Sequence, residues 1–243
     1  MSYFITGGTG FIGRHLIQKL LARPGTIYVL VRKASKDKFD ALLAQMRFDP
    51  KRVVAVYGDL GKPRLGLSPT QVKQLAGKAK HLFHLAAIYD LTADEESQIR
   101  ANVDGTKHAM QLGVAVKAGR FHPGTSVSAA GLSPGGFNGE MFAAAEGLRD
   151  PYFRTKHDSE GMVRREYPRP YRIYRPAIVL GHSQTGETDK IDGPYYFFRL
   201  IKRMRALLPQ WVPTIGIEGS RLNMVPVDYV ADAMDWIAHK PGL

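Results

Sequence analysis

The first apolar run, Tyr3-Phe4-Ile5, ends in Thr6-Gly7-Gly8-Thr9-Gly10, and apolar positions then recur at Phe11, Ile12, Leu16 and Leu20. A short continuous run followed by a stripe spaced three and four apart predicts a buried strand, a glycine turn and a helix over 11–21. Arg23-Pro24-Gly25 stops that helix. Further strand-like runs follow at 26–31, 53–57, 81–85, 121–127, 171–174 and 221–227. Helical patterns occupy 94–118, 152–167, 195–208 and 228–239. Ser68-Pro69-Thr70-Gln71 has the order of a capping box with proline at the first helical position, so another helix starts there. Strands alternating with helices predict an α/β fold with a parallel, doubly wound sheet, the carboxyl ends of its first strands lining a crevice. Pro123-Gly124 interrupts the run at 121–127 and predicts a bulge or local distortion, because proline cannot donate to a strand ladder. Residues 132–150 read as a Gly-rich loop walling a cleft, and 181–193 as a polar loop. The chain reads as one domain over 1–243, with a core over 1–180. Insertions over about 181–225 form a small C-terminal substrate-binding part.

Composition narrows the chemistry. Of 243 residues, 44% are hydrophobic, enough for a full core. There is no cysteine, which excludes disulfides, thiolate metal sites and a cysteine nucleophile; no metal site is expected. Met1 leads straight into the first strand and no apolar run approaches the roughly 18 residues of a membrane span, so a soluble cytoplasmic protein without a signal peptide is expected. The net charge of +12 comes without a nucleic-acid recognition motif. It suits a phosphorylated cofactor or substrate, or peripheral contact with an anionic membrane. Tyr195, Tyr196, Phe197, Phe198, Leu200, Ile201, Leu207, Leu208 and Trp211 line an apolar channel, face a membrane, or are plain core. Arg199, Lys202, Arg203 and Arg205 meet phosphates or headgroups, or form a solvated face.

The glycine turn is the first candidate site. Gly7 allows a tight turn, Gly10 lets a pyrophosphate approach the backbone, and Gly13 lets the helix pack on the strand. The unpaired N–H groups and dipole of the helix then face the phosphates. After the second strand, where NAD-preferring enzymes carry an acid, this chain has Arg32-Lys33 and then Lys36. Arg32 can grip a 2′-phosphate bidentately, so NADPH is the expected cofactor. Small residues Ala86 and Ala87 at the fourth strand's end let the backbone approach it. His84 reads as structural. The second candidate is Tyr152 and Lys156, four apart on one helix face. A fixed ammonium stabilises a phenolate and makes the phenol a usable general acid. Tyr152 then protonates a carbonyl oxygen as hydride reaches its carbon. Lys156 also binds the nicotinamide ribose, and a serine at the fifth strand's end donates to the same oxygen.

Nearly the whole chain resembles an extended short-chain dehydrogenase/reductase, whose Gly-x-x-Gly-x-x-Gly matches Gly7, Gly10 and Gly13. More narrowly, it is similar to the N-terminal reductase domain of bacterial alcohol-forming fatty acyl-CoA reductases. The similarity rests on Tyr3 to Arg14, Val29 to Arg32, His84 to Asp90, Tyr152 to His157, Arg172 to Pro176, Asp192 to Phe198 and Leu208 to Pro213. The resemblance implies NADPH-dependent reduction of an acyl-CoA thioester or a fatty aldehyde. It selects Ser126 over Ser128, because the family serine stands five residues before the glycine matching Gly131. It places Asp59 and Leu60 along the adenine and gives Asn102 the role of holding neighbouring strands. It also adds Thr9, Phe11, Ile12, Asn102, Tyr152, Pro176 and Ile178 to the cofactor contacts. Pro123-Gly124-Thr125 departs from the family's smooth run into a Ser-Ser pair. Members continue with another strand and usually a second reductase domain, so a longer native chain is expected. Without a cysteine for an acyl-enzyme, hydride goes directly to the carbonyl, which favours the aldehyde-to-alcohol step. The alternatives are a sugar-nucleotide epimerase/dehydratase or sterol-type dehydrogenase, or a non-catalytic NADP-sensing regulator. Arg32 argues against NAD-retaining epimerases, and the Tyr–Lys pair against the regulator.

Overall fold

The computed structural model describes residues 2–87, 94–131, 138, 140–189, 194–207 and 222–242. Five parallel strands form the main sheet: β1 (Ser2–Thr6), β2 (Ile27–Val31), β3 (Val53–Tyr57), β4 (Ala79–His84) and β5 (Arg120–Pro123). Their order is β3-β2-β1-β4-β5. β1 is central, with Tyr3, Phe4, Ile5 and Thr6 all buried, as expected of a strand covered on both faces. Helices α1 (Phe11–Leu20) and α8 (Val227–His239) cover one face, where Leu16, Ile17 and Leu20 pack with Met234 and Ala238. Helices α3 (Pro69–Leu75), α5 (Gly105–Ala115) and α6 (Pro151–Glu166) cover the other, through Leu75, Ala109, Leu112, Val163 and Tyr167. Each fully buried Leu or Ile contributes about 1.5–3 kcal/mol. The doubly wound parallel sheet is as the alternating pattern predicts.

Several elements differ in detail. The capping box is present: Ser68 Oγ accepts from Gln71 N at 3.3 Å, and Gln71 Oε1 accepts from Ser68 N at 2.9 Å. Helix α2 (Lys36–Met46) lies in a stretch for which no helix was predicted, although Phe39, Leu42, Leu43 and Met46 carry the three-and-four spacing. The long helix expected over 94–118 is α4 (Glu95–Gln98), a π-turn (Ile99–Asp104) and α5 in succession. The π-turn takes in the mid-helix Asn102.

The predicted distortion at Pro123 is one missing rung. Residues 170–176 run parallel to β5 through Phe121 N to Pro170 O, Arg172 N to Phe121 O and Tyr174 N to Pro123 O. Beyond these come Thr125 N to Tyr174 O and Val127 N to Pro176 O. Pro123 has no N–H, so its bond to Arg172 O is lost, and Pro176 likewise leaves Thr125 O without the next bond of the alternation. The predicted strands at 121–127 and 171–174 therefore pair, but β5 ends at Pro123 and bridge pairing is confined to Phe121 with Tyr171 and Gly124 with Tyr174. In the C-terminal part, β6 (Ile178–Leu180) and β7 (Met224–Pro226) pair in parallel as a separate sheet, and α7 spans Pro194–Leu207. Phe198, Ile201 and Leu207 are exposed, so the plain-core reading does not hold for them, and Met204 beside them is exposed too. Leu208 and Trp211 lie outside the described residues.

Candidate active site

The glycine turn between β1 and α1 abuts the end of β4. Gly7 has φ +72°, and a Cβ there would stand 2.6 Å from Ala86 N. A Cβ on Gly13 would stand 2.2 Å from Gly7 O, so α1 packs directly on the turn. Gly10 differs: its Cβ would meet only Gly7 O, at 3.2 Å. The protein's own packing leaves this position open. Gly10 is also the N-cap of α1 and offers its amides no side-chain acceptor. An open cradle in front of helix amides fits the pyrophosphate of a dinucleotide.

Around this turn, the carboxyl ends of β2, β3 and β4 bring Arg32, Asp59-Leu60 and Ala86-Ala87 to one edge of the sheet. Arg32 is exposed. Lys36 is exposed too, but is ion-paired with Asp40. Asp59 Oδ1 accepts from Gly61 N at 2.9 Å, which shapes its own turn, and Leu60 packs on Gly105. Pro176 O takes Val127 N at 3.1 Å, and Ile178 opens β6. Thr9, Phe11 and Ile12 are partly buried in the turn and the first turn of α1.

Helix α6 supplies the second cluster. Asp150 caps it by accepting from Tyr152 N at 2.8 Å and Phe153 N at 3.3 Å, with Pro151 at the first position. Tyr152 and Lys156 are both buried, and Lys156 Nζ lies 5.8 Å from the centre of the Tyr152 ring. Burial brings the Lys156 pKa down to about 8. Lys156 lines a cavity with His84, Ala86, Ala87, Asn102 and Gly124. Ser126 is buried at the start of the turn 127–130, donates to Ser128 Oγ at 3.1 Å and accepts from Ser128 N at 3.1 Å. His157 Nδ1 donates to Ala129 O at 3.0 Å and fastens α6 to that turn. Ser126, Tyr152 and Lys156 therefore sit on elements packed against each other.

Polar partners that sequence reasoning missed hold this cluster. Thr106 Oγ1 donates to Asn102 O at 2.6 Å, so it accepts from His84 Nε2 at 3.1 Å. His84 Nδ1 then accepts from Thr6 Oγ1 at 2.8 Å, and Thr6 accepts from Ala86 N at 3.3 Å. Burial pushes the His84 pKa down to about 3 and keeps the ring neutral, in agreement with that assignment. His84 is structural, as expected. Asn102 Nδ2 donates to Thr155 Oγ1 at 3.2 Å, which ties the π-turn to α6. Arg14, the residue after the third glycine, is buried and bonds Glu187 at 2.9 Å and also Asp189. Glu160 is buried and ion-paired with the half-buried Arg164 and Arg175.

The sequence profile of the NAD-binding family described as male sterility protein matches residues 5–234. The chain belongs to the male sterility protein family. This family lies within the extended short-chain dehydrogenases/reductases. Among similar proteins, the aldehyde reductase lnaA of Aspergillus flavus is 30% identical over 93% of this chain and 23% of its own length. A putative fatty acyl-CoA reductase of Drosophila melanogaster, CG8303, is 36% identical over 47% of this chain and 23% of its own. The terminal R domain from the myxalamid PKS-NRPS biosynthetic pathway superimposes with a TM-score of 0.79 at 27% identity, over 99% of this chain and 62% of that one. The chain spans about a quarter or less of the length of the curated relatives it matches first. The male sterility profile covers both clusters of the candidate site, the glycine turn and the Tyr152–Lys156 pair.

Proposed function

We propose that this male sterility family chain is an NADPH-dependent reductase that converts a long-chain fatty aldehyde to the alcohol. The observation that carries it is the Lys156 ammonium, buried one helical turn from Tyr152 in a cavity bounded by the end of β4. NADPH, when bound on the glycine turn, supplies the hydride. Tyr152 donates its phenolic proton to the carbonyl oxygen, and Lys156 stabilises the phenolate left behind. Ser126 donates to the same oxygen as charge develops there. Arg32, exposed at the end of β2 where no acid stands, pairs with the 2′-phosphate. The likeness to an aldehyde reductase supports the reaction, and the likeness to a putative fatty acyl-CoA reductase supports the chain class.

The likeness to a terminal R domain favours a second reading, in which this is one domain of a larger synthetase and takes a thioester. NADPH oxidation with a panel of fatty aldehydes, acyl-CoAs and sugar nucleotides separates these readings. Turnover of aldehydes before thioesters is expected, and turnover of sugar nucleotides alone would refute both. Tyr152→Phe should lower kcat by about 100-fold or more while NADPH affinity stays within about threefold. An equally active variant would remove Tyr152 from the reaction.

A further inference from the structure

Glu160 lies one helical turn beyond Lys156 on α6 and two beyond Tyr152. Its side chain is wholly buried, an expensive place for a carboxylate unless its oxygens are filled. They are filled from separate chain segments. Arg175 Nε donates to Oε2 at 2.9 Å and its Nη2 donates to Oε1. Arg164 Nε donates to Oε1 at 2.9 Å, and Thr125 Oγ1 donates to Oε2 at 3.0 Å. Burial pushes the carboxyl up, but the Arg175 and Arg164 bonds outweigh it and hold it below its ordinary value.

The partners are neighbours of site residues. Thr125 immediately precedes Ser126, and Arg175 immediately precedes Pro176. Arg175 Nη1 also donates to Asn138 O at 3.2 Å. The two-pronged bond fixes the plane of the guanidinium as well as its distance. Stability alone does not call for a charge here, since apolar residues of similar volume commonly fill such a space at lower cost. A carboxylate instead joins three segments at one point: the helix with the phenol and ammonium, the strand end with the serine, and the chain entering β6.

We propose that Glu160 is a positioning residue for the reduction, holding Ser126 and the Pro176–Ile178 segment at a fixed distance from Tyr152 and Lys156. This rests on the reductase reading above. A displacement of about 1 Å at a reacting group can cost on the order of 100-fold in rate. Glu160→Gln keeps the shape and removes the charge, and Thr125→Val removes the hydroxyl by which the carboxylate reaches the segment leading to Ser126, together with that hydroxyl's contact to Tyr174 O at 3.2 Å. Both variants should bind one NADPH per chain, with affinity within about threefold of wild type. In Glu160→Gln, kcat per bound NADPH should fall about 10- to 100-fold, with the aldehyde KM changed by less than about threefold.

A cycle separates positioning from mere folding. Once Ser126→Ala has removed the serine hydroxyl, adding Thr125→Val should cost little more, because both changes act through one group. Unchanged kcat per bound NADPH in Glu160→Gln, or fully additive losses in the cycle, would overturn the proposal. Should wild type turn over no carbonyl compound, the reductase reading fails by itself. The fluorescence of bound NADPH then decides the positioning role: Glu160→Gln must shift its emission, and an identical spectrum ends the idea.

Discussion

Burial strips water from the Lys156 ammonium, and its pKa falls from 10.5 to about 8. Such a drop corresponds to about 3 kcal/mol of stability lost while the group is charged. The sign follows from which state binds the proton more tightly. The unfolded chain holds it up to its ordinary pKa and the folded chain only to about 8, so the cost is full below pH 8 and disappears on rising through 10.5. Lys156→Met, close in volume and uncharged, should therefore raise the unfolding free energy at neutral pH by about 1–3 kcal/mol while abolishing turnover. Urea denaturation checks the first outcome; a less stable variant would show that the ammonium has compensation within the fold. At the other end of the crevice, Arg32→Asp should weaken NADPH by about 10-fold or more and NADH much less, since only one of them carries the 2′-phosphate. An unchanged ratio of the two dissociation constants counts against that assignment. The Tyr152–Lys156 pair is legible in sequence because four residues are one helical turn. The His84 network is not, because its partners Thr6 and Thr106 stand 78 and 22 residues away.

Strand, turn and helix act as one unit at β1–α1, and its glycines have different jobs. A Cβ on Gly13 would collide with the backbone of Gly7 and Gly8, at 2.2 Å and 2.7 Å, where nothing can yield without moving the helix. Gly13→Ala should cost about 1–3 kcal/mol of stability as well as cofactor binding. Gly10 has φ −84° and ψ 176°, which alanine adopts readily. Gly10→Ala should cost about 1 kcal/mol or less in stability, yet weaken NADPH by about 10-fold or more. Thermal unfolding and cofactor titration of the two variants test this; equal destabilisation would mean that the space at Gly10 serves the fold. The opening unit was fully readable because each cue in it is local. The stripe of Phe39, Leu42, Leu43 and Met46 was equally local, and α2 was readable from it. The π-turn was not, since it answers Asn102's need to reach Thr155 on another helix. Nor could the effect of Pro123 be sized from sequence, because its missing rung depends on which residues run alongside β5.

Across the whole molecule, both faces of the sheet hold histidines that must stay neutral: His81 and His122 on the α8 face, and His84 on the α5 face. His81 stacks on Tyr3, Phe83 and His122, and His122 stacks on Phe83 and accepts from Tyr174 OH at 3.0 Å. Burial first, then His239 and the Arg120 and Arg172 charges, bring His81 down to about 4. Burial and the neighbouring His81 charge push His122 well below its ordinary value, and burial takes His84 to about 3. Unfolded histidines titrate near 6.5. Below that pH the unfolded chain takes up protons at these three rings, and in part at His15, whose pKa burial also lowers, that the folded chain refuses, so stability falls as pH falls, from about 6.5 toward 4. The slope approaches about 4 kcal/mol per pH unit near pH 5, before most carboxylates protonate. Urea midpoints between pH 7 and 5 measure it. His81→Phe removes a hydrogen bond to His122 and lowers stability throughout, but it should also reduce the slope by about one proton's worth, about 1.4 kcal/mol per unit. The level and the slope are independent readings. A flat profile in wild type would show that these rings charge inside the fold, and an unaltered slope in the variant would clear His81 of the effect.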